Sequence, residues 1–138
     1  MALHLLKLAV GVNDLADLRR VQRERAKERG FYCFYTRNMP RRADVILDGG
    51  SVYWVIKGHV QARQRIRGFM PIVNRRGRPA VLVKLEAKVT PTEGLPRRAF
   101  QGWRYLEPNE APRDLAKGGR RGQIPPAMAQ ELRELGLL

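Results

Sequence analysis

The chain has 138 residues, 43% of them hydrophobic, and carries a formal net charge of +14 with a pI near 11.2. A chain of this size normally forms one domain and buries about two thirds of its unfolded surface, so intrinsic disorder is not expected. Its charge selects polyanionic partners, nucleic acid first and an anionic membrane surface second. Cys33 is the single cysteine, which rules out an intrachain disulfide and fits a reducing cytoplasm. His4 and His59 lack partners at metal spacing, so neither a metal site nor a cofactor is expected.

Leu3–Val10 predicts a first strand, with Leu6, Leu8 and Val10 on one face and Leu5 and Ala9 on the other. This apolar start imitates a short secretion signal. Lys7 interrupts it, however, and an Asp- and Arg-rich helix follows, so export is not expected. No apolar run reaches membrane-spanning length. Asn13 or Asp14 caps a helix that runs to Arg29. Asp14 and Asp17 complement its dipole, and Gly30 ends it. Leu15, Leu18 and Val21 give the helix a narrow apolar stripe. Its second half, RRVQRERAKERG, reads as a solvated face with ion pairs from Glu24 and Glu28. Phe31–Arg37, apolar on both faces, predicts a central strand with Cys33 as a small buried hydrophobe. Asn38-Met39-Pro40 then turns the chain into a short helix that ends near Asp48, at Gly49-Gly50. That glycine pair is also a weak candidate for presenting backbone N–H groups to an anion.

The segment Gly49–Gly68, GGSVYWVIKGHVQARQRIRG, organises the rest. Ser51–Lys57 is almost unbroken apolar and aromatic, a strand buried on both faces, and Gly58 marks a bend or bulge. A period of two follows. Val60, Ala62 and Ile66 fall on one side, and His59, Gln61, Arg63, Arg65 and Arg67 on the other. Side chains two apart on a strand lie roughly 6.5–7 Å apart, so a row of guanidinium groups stands on an open sheet face. Such groups hold phosphate through paired hydrogen bonds. A merely solvated face is the commoner meaning of such a row. No acidic residue occurs between Asp48 and Glu86, whereas Lys57, Arg63, Arg65, Arg67, Arg75, Arg76, Arg78 and Lys84 do.

The strand continues through Phe69–Val73 into a hairpin loop, Asn74–Pro79, with three arginines. Ala80–Thr90 is the clearest strand, with Val81, Val83, Leu85, Ala87 and Val89 inward and Leu82, Lys84, Glu86 and Lys88 outward. Thr90–Leu95 reads as a Pro/Gly loop. Pro96–Leu106, PRRAFQGWRYL, sets Phe100, Trp103 and Tyr105 beside Arg97, Arg98 and Arg104. Residues 116–138 read as a flexible basic linker and a short helix with Met128, Leu132 and Leu135 on one face, following a domain over 1–115.

Bases stack on aromatic rings while the strand backbone follows a positive groove. Tyr53, Trp54 and Trp103 are the candidate platforms, with Tyr105 a further one. Core packing is the alternative for each, and Trp103 fits equally a plug closing one end of a barrel. Catalysis has thin support. There is no GxSxG, P-loop, HExxH or Cys–His spacing, and the carboxylates are scattered.

The segments MALHLLKLAVG, LDGGSVYWVIKG with ARQRI, and FQGWRYL with the stretch ending at Leu115 resemble a small proteobacterial family. That family is catalogued only as a domain of unknown function, and the resemblance implies no activity. The order of elements and the segment Ile46–Val52, ILDGGSV, also resemble the PUA-like barrels, including the ASCH and EVE groups. This second resemblance implies a small mixed sheet closed into a barrel with helices at its side, and RNA or modified bases as ligands. Ser51 and Val52 stand where the ASCH segment has a lysine and a threonine, which counts against ASCH-type hydrolysis.

The expectation is therefore an α+β domain, a strongly bent, mostly antiparallel PUA-like barrel or sheet with flanking helices. It would bind RNA or single-stranded nucleic acid through Arg63, Arg65 and Arg67, the Arg75, Arg76 and Arg78 loop, Lys57, and an aromatic platform at Tyr53, Trp54 or Trp103. The rival is a nucleic-acid-modifying or nucleotide-hydrolysing enzyme with its pocket near those aromatics. A third reading is a structural partner of a ribonucleoprotein, whose charge serves docking alone.

Overall fold

The computed structural model describes residues 2–98 and 100–115. The linker and helix expected over 116–138 lie outside the described residues. Strand β1 (His4–Leu8) is followed by helix α1 (Leu15–Arg29). Asp14 caps the helix by accepting the Asp17 backbone N–H at 2.7 Å, and Gly30 closes it in the left-handed region at φ 85°, as its local chemistry dictates. Strand β2 (Cys33–Thr36), helix α2 (Ala43–Leu47), and strands β3 (Ser51–Ile56), β4 (His59–Val73), β5 (Pro79–Pro96) and β6 (Trp103–Leu106) complete the α+β chain. Among the described residues no helix is long and apolar enough to cross a membrane.

The six strands form one mixed sheet in the order β2-β5-β4-β3-β1-β6. Strands β1 and β3 run parallel, joined by a crossover that carries both helices, and every other neighbouring pair is antiparallel. Among the described residues the sheet is open: β2 pairs with β5 alone and β6 with β1 alone. It is nevertheless strongly curled. Pairing of β4 with β5 slips between Val60 and Ala62, between Gln64 and Ile66, and between Ile66 and Gly68. Each slip of this kind bends the strand and increases its twist. As a result Phe34 of edge strand β2 packs edge to face on Trp54 of β3, with ring centroids 5.4 Å apart, although β5 and β4 lie between them in the sheet.

Helices α1 and α2 cover the concave face. There Leu5, Val52, Trp54, Ile56, Ala62, Ile66, Val83 and Leu85 meet Leu15 and Leu18 of α1 and Ile46 of α2. A smaller cluster, Leu6, Tyr53, Val55, Val60 and Leu106, occupies the opposite face. Strand β3 is buried on both sides along its whole length, as its unbroken apolar run requires. Lys57 and Gly58 turn the chain into β4, both with positive φ (49° and 82°), the geometry of a tight two-residue hairpin.

Several expectations change. The FYCFYTR segment is an edge strand, not a central one, and Phe31 and Tyr35 are exposed. Its aromatic and β-branched content favours a strand without specifying neighbours. Lys84 Nζ lies 4.9 Å from the Phe31 ring centroid, and the Arg29 guanidinium lies 4.4 Å from that of Tyr35. The short helix begins at Ala43, not Pro40. Thr90–Leu95 is strand, not loop. It pairs Ala62 with Pro91 and Val60 with Leu95, while the Pro91 carbonyl accepts the Leu115 N–H at 3.0 Å. Val60 and Ala62 lie on opposite faces because the bulge between them breaks the alternation. Ala87 is exposed because the register slips between Leu85 and Val89, whereas Leu82 is buried on the face opposite Val81 and Val83, where the pairing is regular.

Gly50 sits where the chain passes closest to itself. A Cβ there would overlap the carbonyl oxygens of Leu3 and Ile46. Two of the N–H groups near this glycine pair are already used: that of Gly50 donates to Ile46 O at 2.6 Å and that of Ser51 to His4 Nδ1 at 3.0 Å.

Candidate functional site

The expected guanidinium row is not a uniform open face. Arg63 makes a two-pronged contact with Asp114, Nε to Oδ1 at 2.6 Å and a terminal nitrogen to Oδ2 at 2.8 Å, and its other terminal nitrogen donates to Ser51 Oγ at 3.1 Å. The hydrogen bond from Arg63 holds the Asp114 carboxyl below the usual carboxylate range. Arg67 approaches Glu86 at 3.3 Å, whereas Arg65 is exposed and makes no ion pair among the described residues. Gln61 is buried, with Nε2 donating to Ile56 O at 2.8 Å. Lys57 is exposed at one end of β4, and the Arg75–Arg78 loop stands at the other end of that 15-residue strand. These two groups of charge cannot share one small ligand.

The expected platforms are likewise dispersed. Tyr53 is buried with its ring 4.9 Å from His4. Trp54 is buried on the concave side. Its Nε1 donates to Gln64 Oε1 at 3.2 Å, and Gln64 Nε2 donates to Glu86 O at 2.7 Å. Trp103 is half-buried at the β6 edge, donating to Asn38 O at 3.1 Å and packing edge to face on Tyr105 at 4.9 Å. Tyr105 in turn accepts the Arg42 N–H at 3.1 Å. Trp103 thus fastens β6 to the segment before α2. Replacing it with Ala should destabilise the domain by about 2–3 kcal/mol, below the cost for a fully buried Trp. That corresponds to a fall in melting temperature on the order of 10 °C. An unchanged thermal transition would assign the ring to a surface role instead.

Beneath Arg63, burial and then the Arg63 charge push His4 down to about 4. Its Nδ1 receives the backbone N–H of Ser51 while Ser51 Oγ is held by Arg63, which is not a nucleophile–base arrangement. The folded state therefore binds fewer protons than the unfolded one between the folded value and the ordinary imidazole value. Stability is complete above that window and declines as pH falls through it. With the ring only partly buried, about 1 kcal/mol should be lost between about pH 7 and 5. Urea titrations at the two pH values would measure it. His4→Leu should flatten the dependence, and an equally steep variant would remove His4 as its source.

A concentration of charge that the sequence revealed only in part, through its hairpin loop, lies elsewhere. The β4–β5 hairpin tip, β2 and the last turn of α1 enclose a wide groove of about 1140 Å³, lined by Arg29, Arg37, Arg75, Arg76 and Arg78 with Glu28 as the one carboxylate among the described residues. Tyr35 stands in it, 45% exposed, under the Arg29 guanidinium. Asn74 shapes the loop by accepting the N–H groups of Arg76 and Arg78 at 2.9 and 3.0 Å, so three arginines are carried on an ordered turn. None of the five guanidinium groups makes an ion pair among the described residues. The structure thus gathers the loop arginines with Arg29, Arg37 and Tyr35, and leaves Lys57, Arg63, Arg65 and Arg67 outside the lining. Sequence reasoning missed Arg29, Tyr35 and Arg37. The signal available was the alternation of buried Phe34 with Tyr35 in a strand whose neighbours were unknown.

A smaller cavity of about 270 Å³ lies between α1 and the concave face and shares Arg29 and Tyr35 with the groove. Trp54, Phe34, Lys7, Gln22 and Arg25 also line it. Lys7 is held below the usual ammonium range by burial and then by the Arg25 charge.

No curated protein and no solved structure matches the chain. The family described as protein of unknown function, DUF1489, matches over residues 5–138, nearly the whole sequence, and the chain belongs to that family.

Proposed function

We propose that the protein binds RNA or single-stranded nucleic acid, with the strand backbone in the groove between the hairpin tip, β2 and the end of α1. The supporting observation is the set of five guanidinium groups around an exposed Tyr35, opposed by one carboxylate among the described residues. Phosphates are held by such cations, and a base stacked on an aromatic ring adds about 1–3 kcal/mol regardless of sequence. The curled mixed sheet with its helices on the concave side supports the PUA-like comparison and with it the RNA reading, although the sheet is open. A cytoplasmic setting accords with a lone, buried, reduced Cys33.

A salt titration tests this reading. Affinity for a fluorescent single-stranded oligonucleotide should fall with a log–log slope of about −3.5 if five phosphates are neutralised. A flat response, or no binding at low salt, would remove nucleic acid as the ligand.

A further inference from the structure

We propose that Arg63 is the centre of a second phosphate site, and that the Asp114 carboxylate fills this site until a phosphate group takes its place. The two-pronged contact between these side chains, at 2.6 and 2.8 Å, is the geometry in which a guanidinium also receives a phosphate. The fork is held from beneath. Ser51 is buried, and its Oγ accepts from the remaining terminal nitrogen at 3.1 Å. Arg63 therefore keeps its aim when the carboxylate leaves. In the sheet register Tyr53 pairs with Arg63 and Ser51 with Arg65, which sets both guanidinium groups on the face opposite the helices. Arg65 is exposed and makes no ion pair among the described residues. Lys88 adds a third cation. After the Arg63 hydrogen bond, and against the effect of burial, the charges of Arg63 and Lys88 help to hold the Asp114 carboxyl low.

A ligand needs no path through the core to reach the fork. The Arg63 side chain is 29% exposed and that of Asp114 42%. What closes the site is a short piece of chain. Asp114 bridges to Thr92, the Glu93 N–H donates to the Arg113 carbonyl at 2.8 Å, and the Leu115 N–H donates to the Pro91 carbonyl at 3.0 Å. Residues 113–115 thus lie antiparallel along β5, and the ion pair pins the middle one. A pairing this short opens locally at small free energy, and an exposed ion pair adds little to hold it. A nucleic-acid strand brings several phosphates, which engage Arg65 and Lys88 together with the fork, whereas Asp114 offers one carboxylate. Binding at the fork is thereby coupled to release of residues 113–115 from β5.

Two sources share this chemistry: a phosphate of a bound strand, and a free phosphate. The strand follows from the nucleic-acid reading above, on which this inference rests for the identity of its ligand. The fork and its displacement do not depend on the groove.

The test uses the full chain with two probes, a fluorescent single-stranded oligonucleotide and inorganic phosphate. Asp114→Asn keeps the side-chain shape and removes the charge. It should tighten oligonucleotide binding about tenfold, the weight of one charge-assisted contact. Asp44 is exposed and makes no ion pair among the described residues. Asp44→Asn removes equal charge and should stay within about threefold. Arg63→Lys combined with Asp114→Asn should cancel the gain, since lysine keeps the charge and loses the fork. In the parent protein, saturating ligand should quicken hydrogen exchange at the Glu93 and Leu115 amides, because displacement breaks their hydrogen bonds. Faster exchange with inorganic phosphate as well would identify a free phosphate as sufficient, and a response to the oligonucleotide alone would identify the strand. A purely structural Asp114 gives the opposite pattern: Asp114→Asn melts lower and binds no tighter, and ligand leaves both amides protected. Oligonucleotide binding retained in full when Arg75, Arg76 and Arg78 are replaced with Ala would fail the groove reading and leave the fork standing. The fork is overturned if Asp114→Asn binds no tighter than Asp44→Asn, if Arg63→Lys leaves the gain intact, or if neither probe speeds exchange at the two amides.

Discussion

Replacing Arg75, Arg76 and Arg78 together with Ala should weaken binding of a single-stranded oligonucleotide by about two orders of magnitude at physiological salt. Each exposed phosphate contact contributes up to about 1 kcal/mol, and about 1.4 kcal/mol corresponds to tenfold. The control is Arg20→Ala with Arg23→Ala and Arg98→Ala. It removes equal charge away from the groove, and Arg20 is already engaged with Asp17 and Glu24. Its effect should stay within a few-fold. Folding of the triple loop variant should hardly change, since surface substitutions usually lie within about 0.5 kcal/mol. Equal losses from the two triples would mean that net charge alone acts and that the groove has no special role. Arg63 is unsuited to the comparison. Its removal strands Asp114 and frees Ser51, so a loss of binding would be mixed with a loss of structure.

Gly50→Ala should be the most damaging single substitution for folding. The added methyl would meet backbone oxygens of Leu3 and Ile46 and the Ile46 side chain. Backbone atoms cannot rotate away as a side chain can, so relief requires moving the start of β1, the end of α2, or both. Overpacking in a core ordinarily costs about 1–3 kcal/mol, and more where the neighbours are fixed. A loss above about 3 kcal/mol is expected, a large share of the total stability of a domain this size. Urea unfolding of Gly50→Ala beside Gly49→Ala would measure it. The second variant is strained by its φ of 97° but meets only the Ala2 methyl, at 3.6 Å. A Gly50→Ala protein as stable as Gly49→Ala would show that the crossing of β1, α2 and β3 is looser than described.

What the sequence determined by itself is local. Helix α1 was legible to the residue at its C-terminus because Asp14, Asp17 and Gly30 act on groups within one turn of themselves. Burial of β3 on both faces followed from six consecutive residues that have no solvent face to offer. The hairpin loop was legible because Asn74 and Gly77 satisfy a tight turn from within it. The excess of basic residues needed no structure at all.

Tertiary structure alone decided the faces and the neighbours. Alternation predicts a face only while the pairing register holds, and a single extra residue transfers everything beyond it to the other side. The slip at Val60/Ala62 did that to the organising strand, and those farther along β4 curled the sheet until Phe34 reached Trp54. The partner of Arg63 lies 51 residues away, a distance at which no periodicity speaks. Arg29 and Tyr35 read as a solvated helix end and a core aromatic because their environment comes from β2 standing at the sheet edge beside the hairpin tip. That placement arises from the curl of the whole sheet, which is the summed effect of register shifts in strands far from either residue.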